Sequence, residues 1–502
     1  MAETSVDPPA PEVFAQDLLD TERAGSVAIR GAAVRVGGYA LTILLSVGSS
    51  ALLFRHLGVV DGGRYVVVIS LVTLAGGMTD AGLSLIGVRE LATRDAAGRG
   101  ELMRSLGGLR LTLTFLGIAA AVLFAALVGY ASALVLGTLI AGVALALQVL
   151  QDTYAITLTA QLRLISVAMA DLLRQVVMVL AIVALVLAGA SLLPFYAVGI
   201  PAGMATVGVT AYLVRGSVPL LPGVDVAHWR RLLGETLTFS LATVVASIYF
   251  RVAILLVSLI ASSRQTGYFG LSFRVIEVLV AVPQLLVGAS FPIFARAARD
   301  DRVRLAYALG RTFDGCLILG TGIGLALVVG APFVISVLAG AKFAPSVIVL
   351  RIQGLALVAS FIGAVWGYAL LSLRRHRALL VCSLASLALT IALTSILTAA
   401  DGARGAAVAT ATAEALFSLM LGVAVFRGGV RPAISWSAVP RVAAAALLGA
   451  ATLEIGGIPD VARTALALAL YFGALLALRG IPREILEQLP GRLRLLARFG
   501  PT

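Results

Sequence analysis

The residues of this 502-residue chain best placed to do chemistry are three charges set in apolar sequence, Arg251, Arg274 and Glu277. An ionisable side chain at membrane depth costs at least about 2.5 to 3.5 kcal/mol, so it is tolerated mainly beside a partner or a water-filled cavity. Arg274 and Glu277 stand at i and i+3, on one face of a helix. Counted at about 1.5 Å per residue, Arg251 and Glu277 lie about 15 and 13 Å below the same membrane surface, where they can meet. Arg35 and Asp80, on the first two apolar stretches, reach a comparable depth and form the pair expected in the first half of the chain. Such pairs have two uses. They can fix helix packing as buried ion pairs, or their guanidinium groups can face a cleft and take phosphate oxygens bidentately; we adopt the second use.

Arg30, Arg55 and Arg351 lie nearer the helix ends, as vestibule candidates or as side chains that snorkel to headgroups. Asp152, beside Gln148 and Gln151, either lines an inner vestibule or caps its helix. Glu414 and Asp314 are read as structural. Cys316 and Cys382 both fall inside apolar stretches and support no disulfide or metal framework. His56, His228 and His376 lack ligand spacing, so neither a metal site nor a catalytic residue is assigned.

The elements that must position these charges are membrane helices. The composition is 60% hydrophobic and 13% charged, with a mean hydropathy of +1.03, far from soluble-domain usage. About 20 apolar residues cross the hydrocarbon as helix, because each backbone polar group must be bonded within its own segment. Continuous apolar runs predict fourteen spans: 27–54, 65–88, 106–130, 132–155, 166–188, 191–214, 236–261, 268–294, 307–330, 346–371, 378–399, 403–426, 437–456 and 460–479. The runs do not alternate as the strands of an outer-membrane barrel do. The fold class is all-α integral membrane.

A net charge of +13 suggests nucleic acid until the arginines are placed. With a cytoplasmic N-terminus, 29 of the 38 Lys and Arg fall on inside segments, 7 outside, and Arg251 and Arg274 within spans. That is the positive-inside bias of a protein with both termini in the cytoplasm, and no nucleic-acid partner is expected. Residues 1–26, with six acidic residues and three prolines, read as a cytoplasmic tail.

Weak internal symmetry groups the spans. Gly63-Arg64-Tyr65 opens the second span as Thr266-Gly267-Tyr268 opens the eighth, 203 residues on. Gly108-Leu109-Arg110 enters the third as Gly310-Arg311 enters the ninth. Six helices is an even number, so both copies keep one orientation, as two parallel six-helix lobes around a central cleft. The expected organisation is an N-lobe (27–215), a cytoplasmic linker (216–235) with an amphipathic stretch around Trp229, a C-lobe (236–427), two extra helices (428–480) and an amphipathic cytoplasmic segment (481–502).

Phe54-Arg-His-Leu-Gly58, Gly63-Arg-Tyr65, Thr79-Asp-Ala-Gly-Leu83 and Val88-Arg-Glu90 resemble the start of polysaccharide exporters of the O-antigen flippase type, in the multidrug/oligosaccharidyl-lipid/polysaccharide (MOP) exporter superfamily. Phe291-Pro292-Ile-Phe-Ala-Arg296, Leu338-Ala-Gly-Ala-Lys-Phe-Ala-Pro345, Val349-Leu-Arg351 and Gly405-Ala-Ala-Val-Ala-Thr410 continue the resemblance to about residue 430. It implies a cleft formed largely by spans 1, 2, 7 and 8, and an undecaprenyl-pyrophosphate-linked oligosaccharide flipped outward across a bacterial cytoplasmic membrane. Arg251 and Arg274 would receive the pyrophosphate or acidic sugars as the lobes rock. Polysaccharide polymerase and glycosyltransferases are the expected partners.

No cofactor is expected beyond an H⁺ or Na⁺ coupling ion, and the membrane potential itself can drive an anionic cargo outward. The one lysine, Lys342, precedes Phe343 and cannot complete a GK[ST] phosphate loop, which argues against ATP-driven pumping. The alternatives are a lipid II flippase, a drug/cation antiporter of the same superfamily, a membrane glycan polymerase or ligase, and a scaffold that keeps the fold without transport. Arginines at depth disfavour the antiporter, since they repel organic cations. The polymerase or ligase is disfavoured by the short, apolar outside connection at 331–345.

Overall fold

The structure, a computed structural model, describes residues 22–80, 82–161 and 163–480, excepting the side chains at 22–40, 85, 92–93, 96–97, 235–240 and 242–243. The expected N-terminal tail up to residue 21 and the amphipathic segment 481–502 lie outside the described residues. The described chain is helical throughout, in the order α1 (Glu22–Asp80), α2 (Leu83–Thr93), α3 (Ala96–Leu127), α4 (Ser132–Ala160), α5 (Leu164–Leu187), α6 (Leu192–Tyr196), α7 (Gly199–Val214), α8 (Val226–Ile260), α9 (Ser263–Asp300), α10 (Arg302–Ala339), α11 (Ser346–Ser372), α12 (His376–Phe426), α13 (Ala438–Ala450) and α14 (Asp460–Ala477). Among the described residues, ten helical segments are long and apolar enough to cross a membrane. Two of these, α1 and α12, are each broken once into two passes. With α8 and α13 the passes number fourteen, as expected from hydropathy.

The departures from the expected boundaries have local causes. The first and second spans are not joined by an extended turn over 55–64. The helix kinks at Gly58 (φ 71°, ψ −168°) and resumes at once, through a conformation that costs glycine little because it has no Cβ. The Asp61–Arg64 ion pair (2.9 Å, i to i+3) then braces the resumed turn. At its other end the second pass stops at Asp80, and 83–93 form the separate helix α2. The sixth span is split into α6 and α7 just after Pro194. In α12 the break falls at Asp401 and Gly402, and the restarted helix is capped from α9, where the Gln265 Oε1 accepts from the Ala403 N–H (3.1 Å).

The amphipathic stretch around Trp229 is not a separate linker helix. It is the beginning of α8, capped by Asp225, whose Oδ1 accepts from the His228 N–H (2.9 Å). The Trp229 Nε1–H donates to the Ser105 carbonyl (2.9 Å) and pins this end of α8 to α3. Helix α1 also starts at Glu22, so the last residues of the expected N-terminal tail are helical.

Helices α1, α3, α4, α5 and α7 pack on one side of the molecule and α8 to α12 on the other, with α13 and α14 resting on α10. The Tyr471 hydroxyl of α14 donates to the Ile318 carbonyl of α10 (2.8 Å). Where lipid removes the hydrophobic drive between helices, small residues that let backbones approach take its place. The seam between the two sides uses this at the arginine-poor end: a Cβ on Gly63 would sit 2.7 Å from the Gly267 nitrogen, and one on Gly267 2.1 Å from the Val59 carbonyl oxygen. The two segments paired in the sequence as a repeat, around Gly63 and Gly267, therefore touch each other. The Arg55 Nη2 donating to the Ser336 carbonyl (2.9 Å) and the Tyr130 hydroxyl against the Ser258 Oγ (2.5 Å) close the same end.

Candidate functional site

Below that closure lies a cavity of about 860 Å³, walled by the second half of α1 and by α2 to α9. Arg251, Arg274 and Glu277 line it together. Glu277 lies between the two arginines: one carboxylate oxygen accepts from the Arg251 Nη2 and the other from the Arg274 Nη1 (2.5 Å). The two arginines are not equivalent. Arg251 is 9% exposed, reaches the Ser70 Oγ of α1 (3.4 Å), and has its guanidinium carbon 5.7 and 5.8 Å from the ring centres of Phe250 and Phe273. The Arg274 side chain remains 39% exposed. Arg251 is thus largely enclosed by its partners, while Arg274 presents donors to the cavity.

The other charged wall holds a pair that the sequence reading did not name. The side chains of Arg30 and Arg35 lie outside those described. Asp80 pairs with Arg110 of α3, accepting from its Nη2 (2.8 Å) and from the Ser84 Oγ (2.6 Å). Arg110 is only 2% exposed. The expected third span begins at 106 and leaves Arg110 at a helix mouth, whereas α3 begins at Ala96. The signal was legible: Asp95 is an N-cap, its Oδ1 accepting from the Gly98 N–H (2.9 Å). A helix begun there carries Arg110 about 21 Å along its axis.

Asp152 does not cap its helix, since α4 runs on to Ala160. It lines the cavity, within electrostatic reach of Arg110 and Arg174. The Arg174 Nη2 of α5 donates to the Gln148 Oε1 (2.5 Å), one turn from Asp152 on the same face. Among the described residues, four arginines (110, 174, 251, 274) and three carboxylates (80, 152, 277) line the cavity, a formal sum of +1.

Neither Arg55 nor Arg351 lines the cavity. Arg55 ties α1 to the last turn of α10, as described above. Arg351 donates from its Nε to the Val328 carbonyl (3.0 Å). Val328 lies four residues before Pro332 in α10, so it is the carbonyl that the proline, having no N–H, leaves without a helical partner.

Glu414, read as structural from sequence, sits beside a second cavity of about 250 Å³ between α8, α9, α11 and α12. It accepts from the Tyr249 hydroxyl and from the Ser360 Oγ (2.8 Å). Its partners come from two other helices, which no spacing in the sequence announces. At the arginine-rich end, Glu101, Asp225 and His228 bring one ligand-type atom each within 4.8 Å of one another, although the sequence had shown no ligand spacing.

A sequence model of the family described as polysaccharide biosynthesis protein matches residues 52–348, more than half of the chain. The chain belongs to this family. No curated protein sequence matches it.

Among solved structures, this chain is similar to the lipid II flippase MurJ in an inward closed conformation, with a TM-score of 0.73 over 88% of this chain and 97% of that one, at 13% identity. An inward-facing multidrug resistance transporter of the MATE family, in the MOP superfamily, gives 0.62 over 78% of this chain and 94% of that one, at 14% identity. An outward-facing conformation of such a transporter gives 0.56 over 78% and 92%, at 13% identity. These likenesses establish the fold.

Proposed function

We propose that this protein flips an undecaprenyl-pyrophosphate-linked oligosaccharide from the cytoplasmic to the outer leaflet, by alternating access of its two lobes, for the assembly of a cell-surface polysaccharide. The observation that carries the reading is Arg274: a guanidinium with exposed donors, anchored by a carboxylate, inside a cavity whose described side chains sum to +1. A pyrophosphate needs such a cation at depth, the glycan needs the hydrated cavity, and the polyprenyl chain can stay in lipid. The arginine-rich end faces the cytoplasm, by the positive-inside bias, of a bacterial cytoplasmic membrane. The cavity then takes cargo from the side where lipid-linked glycans are assembled, with glycosyltransferases supplying them and a polymerase consuming them outside.

Outward movement of an anion down an interior-negative potential is favourable by about 2.3 kcal/mol per charge per 100 mV, so no nucleotide is required. Where an H⁺ or Na⁺ contributes, Glu414 is the carboxylate placed to carry it, and Glu414→Gln then leaves cargo binding intact while removing the dependence on the ion gradient. A lipid II flippase would use the same machinery and differ in the glycan. A drug/cation antiporter is disfavoured by the cavity's positive sum.

Deletion of the gene is expected to accumulate a lipid-linked glycan facing the cytoplasm, and the purified protein to flip that lipid in proteoliposomes. An unchanged surface glycan with no accumulation overturns the proposal.

A further inference from the structure

The cavity carries two charge stations of different character. Arg251, Arg274 and Glu277 sum to +1, whereas Asp80, Asp152, Arg110 and Arg174 sum to zero. Ser70, which touches Arg251, and Asp80 are ten residues apart on the same pass of α1, so the stations lie about 15 Å apart along that helix. A pyrophosphate alone does not span that gap; a short oligosaccharide does.

The second station is poorly suited to an anion. Asp80 and Asp152 both face the space a phosphate would occupy, and their charge cancels the attraction of the two arginines. It is well suited to a polyhydroxylated group, which both donates and accepts: carboxylates take hydroxyl protons, while guanidinium and amide nitrogens donate to hydroxyl oxygens. Part of its bonding capacity is unspent. Among the described residues, the Nε and Nη1 of the buried Arg110 have no hydrogen-bond partner. The Gln148 Oε1 is engaged by Arg174, which fixes the amide and leaves its NH₂ as a directed donor. Gln148 and Asp152, one turn apart on α4, face the cavity together.

We propose that Gln148, Asp152 and Arg174, backed by the Asp80–Arg110 pair, form a glycan subsite that recognises the sugars nearest the pyrophosphate, while the Arg274 station holds the pyrophosphate itself. This rests on the flippase reading. It assigns to the N-terminal side of the cavity the choice of glycan, and to the C-terminal side the hold on the lipid carrier common to every such cargo.

The test compares two probes on purified protein in nanodiscs: synthetic bare undecaprenyl pyrophosphate, and the lipid-linked oligosaccharide extracted from cells lacking this gene. Wild type should bind the glycosylated lipid more tightly. Gln148→Ala and Asp152→Asn should each remove about tenfold of affinity for the glycosylated lipid, the worth of a hydrogen bond to a charged or fixed group, and leave the bare lipid unchanged. Arg274→Gln should weaken both. Gln148→Ala, a half-buried position, carries the test alone if Asp152→Asn fails to fold. Equal loss on both probes, or loss on neither, overturns the subsite. So does a wild-type protein that binds bare and glycosylated lipid equally well. A wild type that binds neither probe overturns the flippase reading as well, so the two failures are distinguishable.

Discussion

Replacing Arg274 and Arg251 by glutamine, one at a time, separates a working arginine from a packing one. The Arg274 side chain is 39% exposed and its ion pair with Glu277 spans three residues of one helix. Pairs of that kind contribute about 0 to 1 kcal/mol, so Arg274→Gln should barely change stability. A hydrogen bond from its guanidinium to a phosphate oxygen is worth about 1.5 to 3 kcal/mol, which lowers affinity for a pyrophosphate lipid by roughly 10- to 150-fold. Arg251 stands in the opposite case. Its side chain is 11% exposed against 18% for Glu277, and breaking a buried pair by removing one partner costs about 3 to 5 kcal/mol. Arg251→Gln should therefore lower the unfolding temperature clearly, while surviving folded protein keeps much of its affinity through Arg274. The assay is thermal unfolding in nanodiscs beside binding of undecaprenyl pyrophosphate. If Arg274→Gln is as unstable as Arg251→Gln, or binds the lipid as wild type does, the division of roles is wrong.

Two further outcomes follow from the packing. Gly267→Ala places a methyl group 2.1 Å from the Val59 carbonyl oxygen and must part α1 from α9 at the arginine-poor end. With Cys316 and Cys382 replaced and a cysteine introduced at Thr73, which lines the cavity, labelling by an impermeant maleimide from the outside should rise; unchanged labelling removes the closure from this contact. Arg351→Ala should cost about 1 to 3 kcal/mol by orphaning the Val328 carbonyl, and less in a Pro332→Ala background that restores its helical N–H donor. A thermodynamic cycle with no coupling between the two positions refutes that account.

Legibility from sequence tracked the range of the interaction. The Arg274–Glu277 contact was readable because i and i+3 share a helix face, and the Arg251–Glu277 contact because depth along adjacent helices can be counted from their shared turn. The partner of Asp80 was not, because a helix start misplaced from Ala96 to 106 turned a deep Arg110 into a mouth residue. The carbonyl freed by Pro332 was inferable from the four-residue rule, but its donor, Arg351 of the next helix, was not. The bond from Arg174 to Gln148 joins helices whose relative rotation no periodicity reports.

By itself the sequence determined the membrane class, the fourteen passes, the orientation bias and one local charge pair, since these depend on composition and on spacing within a helix. Only the tertiary structure decided that Arg251 is enclosed and Arg274 open, that Asp80 turns to Arg110, that Arg351 repairs a helix, and that the two repeat motifs meet at one seam. Those outcomes depend on how helices rotate and lean against each other. In lipid that is set by side-chain packing and the close approach of small residues such as Gly63 and Gly267, with no strong hydrophobic drive between helices to make it readable from pattern alone.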